Sequence, residues 1–304
     1  MSNFNFQFEY NKWLKRFDSE DMNCILKQVQ NMLFETLIYK CILKARSTAP
    51  KDIKGRIKLN GAVHYLIDKC FFNNQLMIIR RLTDKKKDVV SLCKLLNQMK
   101  GNCKYLTRRN YFMILQERGY EYDYSETKKK HDEYIRKNLR MGEMIAIPKG
   151  LDWEKSERFH SVFDKLSKSS CDNRKPEDII SSYFFDKLID ELDCCKKLRN
   201  YVDHFVAHSL KPEKIEKLDD KALRVTFDHL WEAQQIICKI THIVGSYLLG
   251  IVDYVLLPIL HGSFLQYIDE PLVTKEDKSK LREEESKFRN AIRSWKIEIA
   301  DFCA

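Results

Sequence analysis

Glycine and proline are scarce in this chain, and their scarcity limits the folds open to it more than any other feature. Only 9 glycines and 6 prolines occur among 304 residues. β-Sandwiches and barrels reverse direction often, and their turns depend on these two residue types. Because 44% of the residues are apolar, the chain can also bury a sizeable core. The sequence therefore predicts an all-α fold built from long helices.

Apolar residues recur at helical spacing along most of the chain, which predicts a series of amphipathic helices. We expect an N-cap at Asp18 or Ser19, a helix end at Gly101, and a helix start at Pro176, because proline is favoured at the first helical position. The expected helices are, approximately, 19–46, 57–82, 88–101, 104–118, 123–140, 153–168, 176–209, 219–244 and 275–295.

We interpret the whole chain, 1–304, as one all-α domain. Its core is expected to come from about 20–100 and 177–250, with 103–175 as a helical insertion or cap and 263–304 as a C-terminal helical tail. The apolar stretch from 243 to 260 contains Asp253 and Pro258. A membrane-spanning helix needs about 20 apolar residues, so we expect a core helix there and no membrane partner.

The charge of the chain favours a polyanionic partner. Its 54 lysines and arginines exceed its 44 acidic residues, which leaves a net charge of +10. Such an excess attracts RNA or DNA, although lysine-rich surfaces are often only solvated. The ten cysteines are scattered without zinc-site spacing, and no secretory signal is recognisable at the N-terminus. We therefore expect reduced thiols and a cytoplasmic protein.

One stretch concentrates residues that carry chemistry. On a helix through this stretch, an apolar stripe that includes Leu192, Leu198 and Val202 is expected to face the core. A regular α-helix places the polar side chains within about half of the cylinder on the opposite side. These side chains are Lys196, Arg199, Asn200, Asp203, His204 and His208. Asn200, His204 and His208 follow one another at steps of four residues, so they are expected to be neighbours.

These residue types suit cleavage of a phosphodiester without a metal ion or other cofactor. An imidazole can take the proton of a 2′-hydroxyl or return one to the leaving 5′-oxygen, while a guanidinium can bind the phosphate. Taken alone, the residues favour a plainer interpretation, a polar seam between packed helices with Arg199 and Asp203 as a surface pair. A zinc site is less favoured, because Phe205 follows His204 where the helical zinc motif has glutamate, and no third ligand is apparent.

The string from Leu198 to His204, LRNYVDH, resembles the signature of the HEPN superfamily, in which an arginine and a polar residue precede a histidine. The following string FVAHS, which ends at Ser209, resembles a motif of the AbiU-like abortive-infection branch. In that branch the arginine stands where this chain has Val202, so His204, His208 or both remain candidates to act with Arg199.

A second segment resembles the same branch. Residues 78–84, IIRRLTD, and 89–96, VVSLCKLL, are similar to its helix that ends in a Leu-x-Asp turn, followed by a Ser-Leu-x-x-Leu helix start. The two matches cover parts of the expected core, whereas 103–175 and the tail are unmatched. The plainer interpretation of the second match is an N-capped amphipathic helix and its predecessor.

The resemblance implies a HEPN-like bundle of long antiparallel helices and a metal-independent endoribonuclease. Such an enzyme leaves 2′,3′-cyclic phosphate and 5′-hydroxyl ends. The roles implied are catalysis by Arg199, Asn200 and His204 or His208, with Lys196 and Asp203 contacting the substrate. The implied partners are RNA such as tRNA or mRNA, a second copy of the chain that completes the site, and an antitoxin or defence protein.

Val206 stands where a related branch has tyrosine, so we do not expect control by tyrosine AMPylation. A non-catalytic module that binds RNA, a nucleotide or a protein is the alternative.

Overall fold

The fold is all-α, as the sequence predicts. A computed structural model describes residues 6–86, 88–116, 124–138, 147, 153–206, 224–251, 254–257 and 278–294. The chain divides into two compact units, Met1–Pro258 and Ile259–Ala304. Among the described residues, extended pairing is limited to two isolated bridges, Lys51 with Ile57 and Thr107 with Ile179.

The described residues form eleven α-helices. In the first unit they are α1 (Phe6–Phe17), α2 (Ile25–Thr48), α3 (Gly61–Leu82), α4 (Leu92–Gly101), α5 (Arg108–Gln116), α6 (Tyr124–Asn138), α7 (Trp153–Ser167), α8 (Ser182–Leu192), α9 (Lys196–Tyr201) and α10 (Phe227–His242). A 3-10 turn, Asp193–Cys195, joins α8 to α9, and π turns at Val202–Val206 and Ile243–Leu248 extend α9 and α10. In the second unit the described residues form α11 (Lys278–Ser294).

One hydrophobic core runs through the first unit. Helices α2, α3, α4, α8 and α10 each contribute fully buried apolar side chains, which include Val29, Ile79, Leu96, Phe185 and Ile237. Aromatic side chains of the block 103–175, Tyr111, Phe112 and Phe163, pack into the same core. Helix α1, which the sequence analysis did not anticipate, adds Trp13 and Phe17. The apolar faces of these helices therefore pack into one shared core in this unit.

Polar side chains cap α3 and α4 at their starts, which lie about four residues after the predicted starts at 57 and 88. Asn60 accepts a hydrogen bond from the backbone nitrogen of Val63 at the start of α3, and Ser91 accepts one from Lys94 at the start of α4. Helix α4 ends at Gly101, as expected. A short polar side chain before a helix satisfies backbone N–H groups that have no partner within the helix, so these ends are encoded within a few residues.

Two other predicted helix starts, at 18–19 and at 176, are wrong. Helix α2 begins at Ile25 after Cys24, and not at the expected N-cap of Asp18 or Ser19. The described part of α10 begins at Phe227, where Thr226 forms a capping box, whereas the expected start at 219 lies outside the described residues. The error at 176, at the start of the helix expected to carry the polar cluster, has a tertiary cause.

The expected helix start at Pro176 is replaced by a turn at 176–177 followed by non-helical chain, and α8 begins at Ser182. The backbone of this segment pairs with the chain that enters α5: Arg109 donates to the carbonyl of Pro176 at 2.9 Å, and Ile180 donates to that of Leu106 at 3.1 Å. A backbone carbonyl used in this way is not free to begin a helix. Backbone pairing with a segment that is distant in sequence therefore outweighed the preference of proline for the first turn of a helix.

The buried guanidinium of Arg108 joins this segment to α7. Its side chain is 0% exposed and forms ion pairs with Asp164 at 2.6 Å and with Asp178 at 3.0 Å. It also donates to the hydroxyl of Ser169 at 2.6 Å. Arg108 is therefore enclosed and does not add to the basic surface.

Within the described residues of the apolar stretch 243–260, α10 is extended by the π turn Ile243–Leu248. The π turn ends at Leu248, and Gly250 adopts a φ of +64°, which reverses the chain and favours glycine. None of the helices in the described part of the chain combines the length and the apolar run that a membrane crossing requires.

Candidate functional site

The polar cluster lies on the segment that comprises α9 and the π turn Val202–Val206. The apolar stripe of this segment is buried as predicted: Leu192, Cys195, Leu198 and Val202 are at most 2% exposed. On the other side, Lys196 and Asn200 are exposed, while Arg199, Asp203 and His204 are half-buried. The helix therefore presents an accessible polar face next to a face held in the core.

The guanidinium of Arg199 is held by two partners. Its Nη1 donates to the carbonyl oxygen of Thr83 at 2.9 Å, and its Nη2 donates to Oδ1 of Asp193 at 3.0 Å. Lys85 reaches the same carboxylate oxygen at 3.2 Å. The hydrogen bond from Arg199, together with that from Lys85, holds the pKa of Asp193 below its usual value. The side chain of Arg199 is 16% exposed, so the guanidinium is oriented but not enclosed.

Asp203 connects the same two segments a second time. Its Oδ1 accepts a hydrogen bond from Nε of Arg80 at 2.5 Å, and Arg80 also lies 3.6 Å from Asp84. Residues 78–84 and 198–204 are therefore adjacent in the fold. Arg80, Thr83, Lys85 and Asp193 were not among the predicted site residues. Of these four residues, only Arg80 and Thr83 could have been suspected from the sequence, because they lie within the segment 78–84 that the sequence analysis singled out.

The charges of this network balance. Three cations, Arg80, Lys85 and Arg199, are shared among three carboxylates, Asp84, Asp193 and Asp203. A phosphate that approached Arg199 would compete with Asp193, and the exposed Lys196 on the same helix would add attraction.

His204 lies in the π turn directly after α9. The turn places hydrogen bonds between residues five apart, so the angular positions that a regular α-helix gives to residues 203 and 204 do not apply. The imidazole is half-buried and packs edge to face against the ring of Phe205 at 6.3 Å between centroids. Within the described residues, no hydrogen bond joins His204 to Arg199. His208, the other candidate histidine, lies outside the described residues.

No arrangement that would hold a metal ion was found in the described ranges, where three or more histidine, cysteine or acidic side chains do not converge. Comparisons with protein-family models, with curated proteins and with solved structures gave no match for this chain. The site is therefore interpreted from its own residues.

Proposed function

We propose that this protein is a metal-independent endoribonuclease of the HEPN type. The supporting observation is that Arg199, Asn200 and His204 lie within two turns on the accessible side of a helix whose opposite side is buried. The adjacency of the two HEPN-like segments, through Arg199 with Thr83 and Arg80 with Asp203, also supports the proposal. Anchoring on one face lets a helix hold reactive groups steady on the other.

In the proposed reaction the 2′-oxygen of RNA attacks the adjacent phosphorus, and the bond from phosphorus to the 5′-oxygen breaks. His204 or His208 takes the proton of the 2′-hydroxyl, and a second acid returns a proton to the leaving 5′-oxygen. Arg199 stabilises the charge that develops on the phosphate, and Asn200 positions a nonbridging oxygen. Lys196 and Asp203 contact the strand. The products are a 2′,3′-cyclic phosphate and a 5′-hydroxyl end.

One imidazole cannot accept and donate a proton in the same concerted step. The second acid is therefore either the other histidine of this helix or His204 of a second copy of the chain. We propose a homodimer in which the two helices face each other. On the basis of the resemblance, such a protein would act in the cytoplasm as a toxin or antiphage effector, under the control of an antitoxin or defence partner.

A non-catalytic RNA-binding or nucleotide-binding module is the second candidate. The observation that favours it is that both terminal nitrogens of Arg199 already donate hydrogen bonds within the chain, to Thr83 and Asp193. In such a module the arginine would hold the two segments together, and the exposed Lys196 and Asn200 would contact the ligand.

The experiment is cleavage of a fluorescent single-stranded RNA by the full-length chain in EDTA. The variants are His204→Ala, His208→Ala and Arg199→Lys, the last of which keeps the charge but loses the planar fork. His242→Ala, an exposed histidine on α10, is the matched control. Unfolding midpoints of all variants separate lost chemistry from lost structure.

We expect wild type and His242→Ala to cut and to leave cyclic phosphate ends. At least one of the two other histidine variants should lose activity by roughly 100-fold or more, which is the usual contribution of general acid–base catalysis. Cleavage that persists in folded His204→Ala and His208→Ala would exclude the proposed mechanism. RNA binding by wild type without cleavage would favour the binding module.

A further inference from the structure

A cavity of about 300 Å³ opens between α2, α3 and α10, away from the residues discussed so far. Most of its lining is aromatic or apolar, and two of its side chains, Thr36 and Gln234, are polar and buried. Cavities that hold small ligands span about 300–1,000 Å³ and combine apolar walls with a few polar groups. The size suits a compact planar ligand.

Aromatic rings form the walls of this cavity. Tyr39 and Phe71 stack with centroids 3.9 Å apart and an interplanar angle of 7°, and Phe227 continues the stack at 5.7 Å from Tyr39. Phe227 is 49% exposed and Trp231 is 39% exposed. Large rings that belong only to the core are not left open to this extent, so part of each ring is accessible to a planar molecule.

The polar end of the cavity offers a hydrogen-bond acceptor of defined orientation. The carboxylate of Glu35 can only accept, so the amide nitrogen of Gln75, 2.8 Å away, must point towards it. The amide oxygen of Gln75 then accepts from Nε2 of Gln234 at 2.7 Å. The hydroxyl of Thr36 donates to the carbonyl of Met32 at 2.8 Å, and accepts from the same nitrogen of Gln234 at 3.0 Å.

These hydrogen bonds occupy the amide nitrogen of Gln234 and leave its amide oxygen, Oε1, as the remaining acceptor. Gln234 is 3% exposed, and within the described residues its Oε1 has no hydrogen-bond partner. A buried acceptor without a partner costs free energy that a ligand N–H group would recover. Gln234 lines the cavity, so the ligand that satisfies it must carry a donor.

Cations stand at the mouth of the cavity. Nζ of Lys40 lies 3.4 Å from the centroid of the Trp231 ring, and Lys44 is exposed one turn further along α2. The carboxylate of Asp228, also in the lining, is exposed. A phosphate could pair with the lysines, and a ribose hydroxyl could donate to Asp228.

We infer that this cavity binds an amine-bearing nucleobase of a nucleotide. The base would stack on Phe227 and Trp231 and donate its exocyclic amine, as adenine and cytosine can, to Oε1 of Gln234. The attached phosphate would lie against Lys40. A purely apolar ligand would leave the acceptor unsatisfied, and a free phosphate would leave the rings uncovered. The nucleotide is either free or part of an RNA strand.

The cavity is connected to the polar cluster through aromatic contacts. The ring of Phe72 packs edge to face against Phe227 at 5.5 Å, and against Tyr201 of α9 at 6.5 Å. A strand that placed one base in the cavity would therefore run close to the helix that carries Arg199. Base binding is nevertheless independent of cleavage, because it can be measured on a strand without 2′-hydroxyl groups.

The test is calorimetric titration of the full-length chain with AMP, CMP, ribose 5-phosphate and a 2′-O-methyl pentanucleotide, which cannot be cut. Trp231→Ala removes one stacking face at the surface, and Lys40→Ala removes the cation at the mouth. Tyr65→Ala is the matched control, since Tyr65 is an aromatic residue of α3 that is 68% exposed and does not line the cavity. Gln234→Met replaces the acceptor, with its unfolding midpoint measured in parallel.

We expect AMP, CMP or the pentanucleotide to bind, and Trp231→Ala to weaken that binding roughly 5- to 150-fold, the range for the loss of one base-stacking ring. Tyr65→Ala should bind as wild type does, and ribose 5-phosphate should not bind. Binding of the mononucleotides identifies a free nucleotide as the ligand, whereas binding of the oligonucleotide alone identifies a strand. The inference is overturned if no base-bearing probe binds, or if Trp231→Ala binds as tightly as wild type.

Discussion

Arg199 shares the carboxylate oxygen of Asp193 with Lys85, and its Nη2 lies 3.0 Å from that oxygen. Arg199 lies six positions after Asp193, so the contact joins α9 to the first residue of the 3-10 turn between α8 and α9. The pair holds the guanidinium beside the carbonyl of Thr83. An arginine in this position can bind a phosphate only if the phosphate replaces, or joins, an internal carboxylate.

Replacing Asp193 by asparagine is expected to strengthen RNA binding. The neutral side chain competes less well for Arg199, and since the carboxylate is 44% exposed the gain should be modest, up to about fivefold. Fluorescence anisotropy with a 2′-O-methyl oligonucleotide measures it. Asp190→Asn removes the same charge from an exposed position of α8 and is the control. An equal gain in both variants would show that only net charge matters, and no gain would contradict a phosphate-binding role for Arg199.

Replacing Arg108 by alanine should be among the most destabilising single changes in this protein. The substitution leaves Asp164 and Asp178 without their shared buried cation, and breaking such a pair costs about 3–5 kcal/mol. The neighbouring Arg109 pairs with Glu177 at the surface, where its side chain is 54% exposed, so Arg109→Ala should cost less than about 1 kcal/mol. Urea unfolding of both variants gives the comparison. Similar losses would show that Arg108 is not enclosed as described.

Stability is expected to fall as the pH falls below neutral, because of His160. Burial, followed by the nearby charge of Arg108, lowers the pKa of His160 from 6.5 to about 3. Between these two values the unfolded chain binds a proton that the folded chain excludes. The free energy of unfolding therefore decreases with decreasing pH, by up to about 1.4 kcal/mol per pH unit from this group.

Asp164, next to His160 in the same cluster, acts in the same direction. Burial by itself raises the pKa of Asp164, but hydrogen bonds from Arg174 and Arg108 outweigh it and leave the pKa below its usual value of 3.8. Denaturation at a series of pH values should show a smaller slope for His160→Gln than for wild type. His242→Gln, a substitution at an exposed histidine outside this cluster, is the control. Parallel curves for wild type and His160→Gln would contradict a buried neutral imidazole.

Gly245 is expected to tolerate no side chain. A Cβ atom there would lie 2.7 Å from the ring of Tyr254 and 2.8 Å from that of Phe17, closer than carbon atoms pack. Gly245→Ala should therefore lower the free energy of unfolding by about 1–3 kcal/mol, as overpacking does. Gly61→Ala is the control, because nothing lies within 4 Å of its Cβ position at the start of α3, and alanine is the better helix former. Thermal unfolding distinguishes them, and a neutral Gly245→Ala would contradict this packing.

Much of the helical architecture can be predicted because its determinants are local. The apolar stripe of α9, the cap at Ser91 and the end of α4 at Gly101 each depend on a few neighbouring residues. Pro176 shows where this reasoning fails. Its segment forms backbone hydrogen bonds to the chain before α5, about 70 residues away in sequence, and no local pattern announces that pairing.

For the candidate site, too, some features follow from local sequence and others from tertiary packing. Composition, apolar spacing and the string around Arg199 determined an all-α chain with one polar helix face, since these features follow from propensity and period. Only the tertiary structure decided that Thr83 and Asp193 hold Arg199, that Arg80 meets Asp203, and that Gln234 is left with an open acceptor. Such contacts depend on how helices pack against one another. Packing brings together side chains that are far apart in the chain, and no local sequence pattern predicts which of them will meet.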